Sequence, residues 1–377
     1  MRLEHQDVVQ LAGQAAAGGP SGQPASTVDQ PALSGDVVCL GESMALLVPA
    51  EAGPVHEVRT WTRTVGGAES NVACHLARLG VRSRWVSAVG QDAFGQAVLA
   101  DVAAAGVDVS DVRIDPVRRT GLYVKEASAG GSPVRYYRDG SAAAGMGPDL
   151  LAGLDLGATR LVHVSGITAA LSDSCLALLR ALLHGPRTGY QVSFDLNWRP
   201  ALWRDKDPAV LRELANAADI VLAGEDEAEI VWGTGEPAAL RALLPAPATL
   251  VVKQGARGAT LVEGDQEVFE PALRVDVVEP VGAGDAFAAG FLAATLLGQP
   301  ARTRLRAGHI RAAAVLLTRE DVGEPLADEL VEKLLAADEA GWAGAHLVAP
   351  GRLLDPGERP PLDPGAVTLP DSGEGAP

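Results

Sequence analysis

The sequence predicts an α/β fold, with a mostly parallel central sheet covered by helices on both faces and a small β-sheet lid. Three observations predict it. Short apolar runs without internal alternation recur along the chain, as strands buried on both faces read. Between them lie segments with apolar residues three and four apart, opened by a capping residue and closed by glycine. Two stretches break the rhythm, alternating around turn signals as half-exposed hairpins do. The 377 residues suffice for one large domain with a substantial core.

Residues 1–34, rich in Ala, Gly, Gln, Pro and Ser, read as a disordered leader, and 345–377, with repeated Pro, Gly and Asp, as a disordered tail. The domain is placed at 35–344. Its first strand, 37–40, ends in Gly41. Ser70 begins a helix that carries Val72, Leu76 and Leu79 on one face and stops at Gly80. Residues 84–89 form a strand, and Asp92 caps a helix that ends at Gly106. After the strand 161–164, Ser172 caps a helix with Leu176, Leu179 and Leu183 that stops at Gly185. Strands 192–194 and 220–222 flank a helix over 209–218, and 250–252 is a further strand, turning through 253–259 into 260–263. The hairpins fall at about 44–64 and 121–139, the second turning at Ala129, Gly130 and Gly131. They suit a lid or a dimer surface, and from pattern alone decorative hairpins on a large enzyme fit as well. In such a sheet, ligands bind at the carboxyl ends of the strands.

Composition excludes several classes. Acidic residues number 48 against 31 basic, a net charge of −17, and only four of the basic residues are Lys. A nucleic-acid surface needs clustered cations, so none is expected. Three scattered Cys support neither a disulfide framework nor a zinc site. The N-terminus lacks a signal-peptide pattern, and the longest apolar run, 286–297, is too short to span a bilayer. A cytoplasmic enzyme without a membrane partner is the expectation. His163, in an apolar strand, and His309, in an apolar helix, read as satisfied core residues.

Two glycine-rich helix entries carry the chemistry. In Glu279-Pro280-Val281-Gly282-Ala283-Gly284-Asp285 the small residues let the backbone turn tightly ahead of an apolar helix, and N–H groups at a helix start form an anion pocket. Asp285 in that first turn is expected to be ionised and placed to take a proton from a hydroxyl beside a bound phosphate. No Lys follows a Gly, which excludes a Walker A loop, and Phe287 stands where a dinucleotide fingerprint needs its third Gly. In Gly66-Gly67-Ala68-Glu69-Ser70-Asn71, Asn71 offers both donor and acceptor to a polyol. Taken singly, each segment also fits an ordinary capped helix start.

Together the two segments resemble the two signatures of the ribokinase (PfkB) family of carbohydrate kinases, through Gly66, Gly67, Asn71, Ala73, Gly80 and Gly90 in the first. In the second, Pro280, Gly282, Ala283, Gly284, Asp285, Ala289 and Gly290 fit. Glu69 and Glu279 depart from the pattern. The resemblance covers the body and neither tail. Within the family the chain is similar to the 2-keto-3-deoxygluconate kinase branch, through Glu69, the run Tyr136-Tyr137-Arg138-Asp139-Gly140-Ser141-Ala142, and Phe194-Asp195-Leu196-Asn197-Trp198-Arg199-Pro200.

The resemblance implies a ribokinase-like fold and an ATP- and Mg²⁺-dependent kinase. Such a kinase would phosphorylate the terminal hydroxyl of a sugar acid, with Asp285 as base and Gly282, Ala283 and Gly284 as anion hole. Arg138 suits a two-pronged contact to the acid's carboxylate, and Tyr136 or Tyr137, or after them Tyr123 in the preceding hairpin strand, suits its oxygens. From the residues alone, a solvated Arg on an exposed strand fits Arg138 equally. The resemblance further implies that Gly67, Asn71 and Asp321 contact substrate, although a charged loop also accounts for Asp321. It puts Arg199 at the phosphoryl group and substrate, against a salt bridge to Asp195 or Asp205 as the alternative. Asn197, Lys253, Gly255, Gly258, Gly282 and Gly284 would border the nucleotide. Glu227 would reach Mg²⁺ through water, with Gly224 where the family often has Asn. A homo-oligomer through the lid or the sheet edge is also expected. A neutral-sugar kinase such as one for fructose or ribose, and a non-catalytic sensor of the same fold, are the alternatives.

Overall fold

In a computed structural model that describes residues 36–51, 53–125 and 134–354, eight strands form one sheet. Across it run Gln266–Pro271, Gly258–Glu263, Thr249–Lys253, Ile220–Gly224, Gln191–Asp195, Thr159–Ser165, Asp36–Leu40 and Ser83–Val86. The last six are mutually parallel, and the first two add an antiparallel hairpin. Successive residues on these strands point to opposite faces. Val38, Leu40, Val162, Val164, Val221 and Val252 enter one core with the helices Asp173–His184 and Ala209–Ala217. Val37, Cys39, Leu161, Ile220, Leu222 and Val251 enter the other with the helices Ala68–Arg78, Ala93–Ala104 and Ala283–Leu296. Such double burial explains the unbroken apolar runs, each fully covered side chain contributing about 1.5–3 kcal/mol.

The two hairpins join into one separate four-stranded sheet ordered Trp61–Gly66, Met44–Pro49, Leu122–Lys125 and Val134–Tyr137. Met44, Leu46 and Tyr123 form its buried face. The turn expected at Ala129, Gly130 and Gly131 lies outside the described residues, as do the expected leader, 1–34, and residues 355–377.

Three boundaries are corrected. The first helix starts at Ala68, not Ser70, with extended Gly67 as cap, while Ser70 Oγ donates to Ser43 Oγ at 3.0 Å instead of capping. The strand expected over 84–89 breaks at Ser87, because Ala88–Gly90 leaves the main sheet to pair with Arg113–Asp115. The expected tail from 345 begins with structure. His346–Val348 and Arg352–Leu353 pair with each other and with Arg274–Val275, and Leu347 is fully buried against Leu334 and Trp342. The Pro and Gly around that strand masked its apolar pair in the sequence. Among the described residues no helix is long and apolar enough to cross a membrane.

Candidate active site

The parallel strands end along one edge, and their carboxyl ends supply Glu42, Asp195, Asn197, Arg199, Glu227 and Lys253. The lid sheet covers this edge, and the helix Ala283–Leu296 starts beneath it. A cavity of about 390 Å³ opens between them, lined among others by Gly67, Asn71, Arg138, Arg199, Lys253 and Asp285. Two sequence segments thus meet at one point, Asn71 and Asp285 being 214 residues apart.

At the floor, Asn71 Nδ2 donates to Asp285 Oδ2 at 2.9 Å. Gly282 caps the helix with φ 84°, a left-handed geometry that favours glycine, and the first-turn N–H groups have no intrahelical partner. A Cβ on Gly284 would lie 3.8 Å from Lys253 Nζ, so an ammonium flanks this helix start. Lys253 donates to Asp195 Oδ2 at 2.7 Å. Burial pulls the Lys253 ammonium down, but Asp195 and Glu227 outweigh it and its net shift is upward. The Asp285 carboxyl is pushed up to about 7, chiefly by burial and against the Asn71 hydrogen bond. This corrects the expectation of a fully ionised carboxylate at pH 7: loss of water outweighs the helix start.

The Arg199 guanidinium donates to Trp198 O at 2.9 Å and lies 3.5 Å from Glu227, not Asp195 or Asp205. Glu227 accepts from Trp198 N at 3.1 Å and Gly224 N at 3.2 Å, and burial raises its pKa. Asn197 adopts φ 39°, turning the chain from strand end to Arg199. Gly255 and Gly258 form the turn beyond Lys253, both at positive φ, beside a second cavity of about 540 Å³ that Gln254, Arg257 and Thr260 help to line.

Beneath the lid sheet, Arg138 is buried and ion-paired with Glu42, whose other oxygen accepts from Ser141 Oγ at 2.6 Å. A solvated Arg138 is therefore excluded. Tyr136 lines the cavity, stacked on Tyr123 at 5.6 Å with Arg138 over its ring, whereas Tyr137 is 58% exposed and does not line it. Asp321 is buried in the cavity wall, with Lys125 Nζ at 3.4 Å and Tyr123 Oη at 3.5 Å, which overturns the charged-loop reading; burial raises its pKa. Gly66 and Gly67 are required by close approach, since a Cβ would lie 1.8 Å from Tyr123 Oη at one and 2.3 Å from Glu42 O at the other.

Sequence reasoning missed Glu42 and Lys125. Glu42 follows a strand's carboxyl end, and Lys125 shares a strand face with Tyr123 two residues away. Glu69 is buried and structural, accepting from Ser165 and Thr168 at 2.7 Å each, with its pKa raised by burial. His163 and His309 are buried and bonded to Ser193 Oγ and Glu270 O, as expected. The three Cys are free and buried.

The chain is similar to several known proteins. A 2-dehydro-3-deoxygluconokinase of Bacillus subtilis is 36% identical over 310 residues, covering 80% of this chain and 96% of that protein. A 2-dehydro-3-deoxygluconokinase of Thermoproteus tenax is 34% identical, covering 80% and 94%. The crystal structure of a PfkB protein from Polaromonas superposes with a TM-score of 0.68 at 35% identity, covering 75% of this chain and 96% of that one. Residues 34–328 match the pfkB family of carbohydrate kinases, both glycine-rich helix entries included. The fold is ribokinase-like, and the chain belongs to the pfkB family of carbohydrate kinases.

Proposed function

We propose that this carbohydrate kinase transfers the γ-phosphate of ATP to the terminal hydroxyl of a sugar acid of the 2-keto-3-deoxygluconate type, giving the 6-phosphate. The observation that carries the reading is the floor of the cavity, where a carboxyl held by Asn71 shares the first helical turn with an N–H pocket flanked by Lys253. The substrate hydroxyl would attack the γ-phosphorus, its proton passing to Asp285 as the bond to the β-phosphate oxygen breaks and ADP leaves. N–H groups at Gly282, Ala283 and Gly284, with Arg199, would stabilise the charge on the transferring group. The nucleotide would lie along the turn through Gly255 and Gly258, with Asn197 and Lys253 at its phosphates. Closure of the lid would exclude water.

Mg²⁺, arriving with the nucleotide, would supply neutralisation of the phosphates. Among the described residues no group of three His, Cys, Asp or Glu forms a ready metal site, and both Glu227 oxygens already accept backbone N–H groups. A contact from Glu227 through the ion's water shell fits that donor set.

Support for a sugar acid comes from Arg138 and Lys125 beside Tyr136 and Asp321, and from the named activity of the two relatives. A neutral sugar is the second reading, favoured because both cations already face a buried carboxylate. Coupled ADP release over a panel of sugars and sugar acids decides between them. Charge-assisted contacts worth about 1.5–3 kcal/mol predict a preference of about 10- to 100-fold in kcat/KM for 3-deoxy-2-keto sugar acids. Equal rates with fructose or ribose would favour the neutral substrate.

A further inference from the structure

Behind the cavity wall, three successive backbone carbonyls are held by three side chains. Asp321 O accepts from His75 Nε2 at 3.3 Å, Val322 O from Arg78 Nη1 at 3.0 Å, and Gly323 O from Arg311 Nη2. The front of this loop touches the anion pocket, because a Cβ on Gly282 would lie 2.7 Å from Asp321 O. Its side chain at Asp321 forms part of the sugar wall. The loop's position therefore sets both walls at once.

One helix face spans the distance. Asn71, His75 and Arg78 lie at i, i+4 and i+7 of Ala68–Arg78, on one side of the helix. Asn71 grips Asp285, and a turn further on His75 grips the loop. The orientation of His75 is itself imposed. Its Nδ1 lies 3.0 Å from Arg311 Nε and 2.7 Å from Nη2, and a guanidinium only donates. Nδ1 must accept, so the ring proton sits on Nε2 and donates to Asp321 O. Burial, then Arg311, draws the imidazole down to about 3, so it is neutral at working pH.

Arg311 comes at a cost in stability. It is 2% exposed, has no ion pair among the described residues, and its Nη1 has no hydrogen-bond partner. Burial draws it down to about 10. An apolar residue of similar volume would avoid that desolvation. We infer that His75 and Arg311 are positioning residues for phosphoryl transfer, holding the 321–323 backbone against Gly282 so that the anion pocket and the Asp285 base keep their spacing. The inference rests on the kinase reading above.

Three variants test it: His75→Leu, His75→Gln and Arg311→Lys. Leu breaks the bonds to Arg311 and Asp321 O, and a displacement of about 1 Å at the pocket predicts about a 10²-fold fall in kcat, with nucleotide KM little changed. Gln can accept from Arg311 and donate to Asp321 O, so it should stay within a few-fold of wild type. Lys at 311 cannot span both His75 and Gly323 O and should fall between. Hydrogen–deuterium exchange gives a readout independent of turnover, with amides 282–285 exchanging faster in Leu and Lys but not in Gln. Wild-type exchange and kcat in a cooperatively folding His75→Leu would overturn the inference. So would equal impairment of Leu and Gln in proportion to lost stability. If His75→Leu does not fold, Arg311→Lys carries the same criteria. If wild type phosphorylates no sugar or sugar acid, the kinase reading fails while the exchange result still decides the clamp.

Discussion

Replacing Asp285 with Asn should make the protein more stable while stopping turnover. In the free protein the carboxyl titrates near 7 against an ordinary value of 3.8. The folded chain thus keeps a proton that the unfolded chain has released, and stability falls as pH rises from about 4 to 7. A difference of about three pH units corresponds to about 4 kcal/mol for a fully desolvated group. Asp285 is half-buried and open to the cavity, so solvent reduces this to about 2 kcal/mol. Asn has nearly the same shape, carries no charge, and can still accept from Asn71 Nδ2. Ligand-free urea unfolding at pH 8 should favour Asp285→Asn by about 2 kcal/mol, a Tm rise of about 3 °C. Below pH 4 the two proteins should converge. Coupled ADP release should meanwhile fall by about 10²–10⁴-fold with nucleotide binding retained. Near-wild-type turnover would remove Asp285 as base, and equal stability at pH 8 would refute the cost assigned to burying its charge.

Other consequences follow from the same contacts. In wild type, kcat/KM should rise with pH through a midpoint near 7, as the base must be ionised. Asn71→Ala removes a hydrogen bond that favours the anion and should move the midpoint up by about one pH unit; an unmoved midpoint would separate the limb from Asp285. Arg138→Ala should raise KM for sugar acids more than for neutral sugars and destabilise by about 3–5 kcal/mol by stranding Glu42. A Glu42→Gln, Arg138→Met double variant should recover stability but not sugar-acid KM, and equal KM changes for both substrate types would exclude a carboxylate contact. A chain ending at 344 loses the buried strand at Leu347 and Val348 and should be about 3 kcal/mol or more less stable than one ending at 354. Equal urea midpoints for the two would show the strand to be dispensable.

The layout of sheet, helices and lid was legible because each element carried a local pattern. Asp92 and Ser172 cap as read, accepting from Gly95 N and Cys175 N. The glycine-rich entries were legible for the same reason, since tight turns and close approach demand small residues. What was not legible is pairing across the chain. Nothing local shows that Arg138 meets Glu42 or that Lys125 meets Asp321 across 196 residues. Burial also defeats local reading. Asp285 looked ionised from its place at a helix start, but the lid and sheet remove the water that would keep it so. The strand His346–Val348 failed for the opposite reason, its two buried residues being outnumbered by flanking turn formers.

The acidic balance looks at odds with ligands that are themselves anions. With a net charge of −17, long-range steering of ATP or a sugar acid is not available to this chain. The site works at short range. Each cation that lines the cavity is held by a carboxylate: Lys125 by Asp321, Arg138 by Glu42, Arg199 by Glu227 and Lys253 by Asp195. Those pairs cancel in net charge but fix donor directions in advance, so a ligand meets oriented donors without reorganisation when charge develops. The unpaired positive end is the backbone itself, at the start of the Ala283–Leu296 helix, where no side chain is needed to neutralise it. On the proposed reading, selectivity for a transferring phosphate resides at this helix start, the positive group among the described cavity-lining residues that has no carboxylate ion-pair partner.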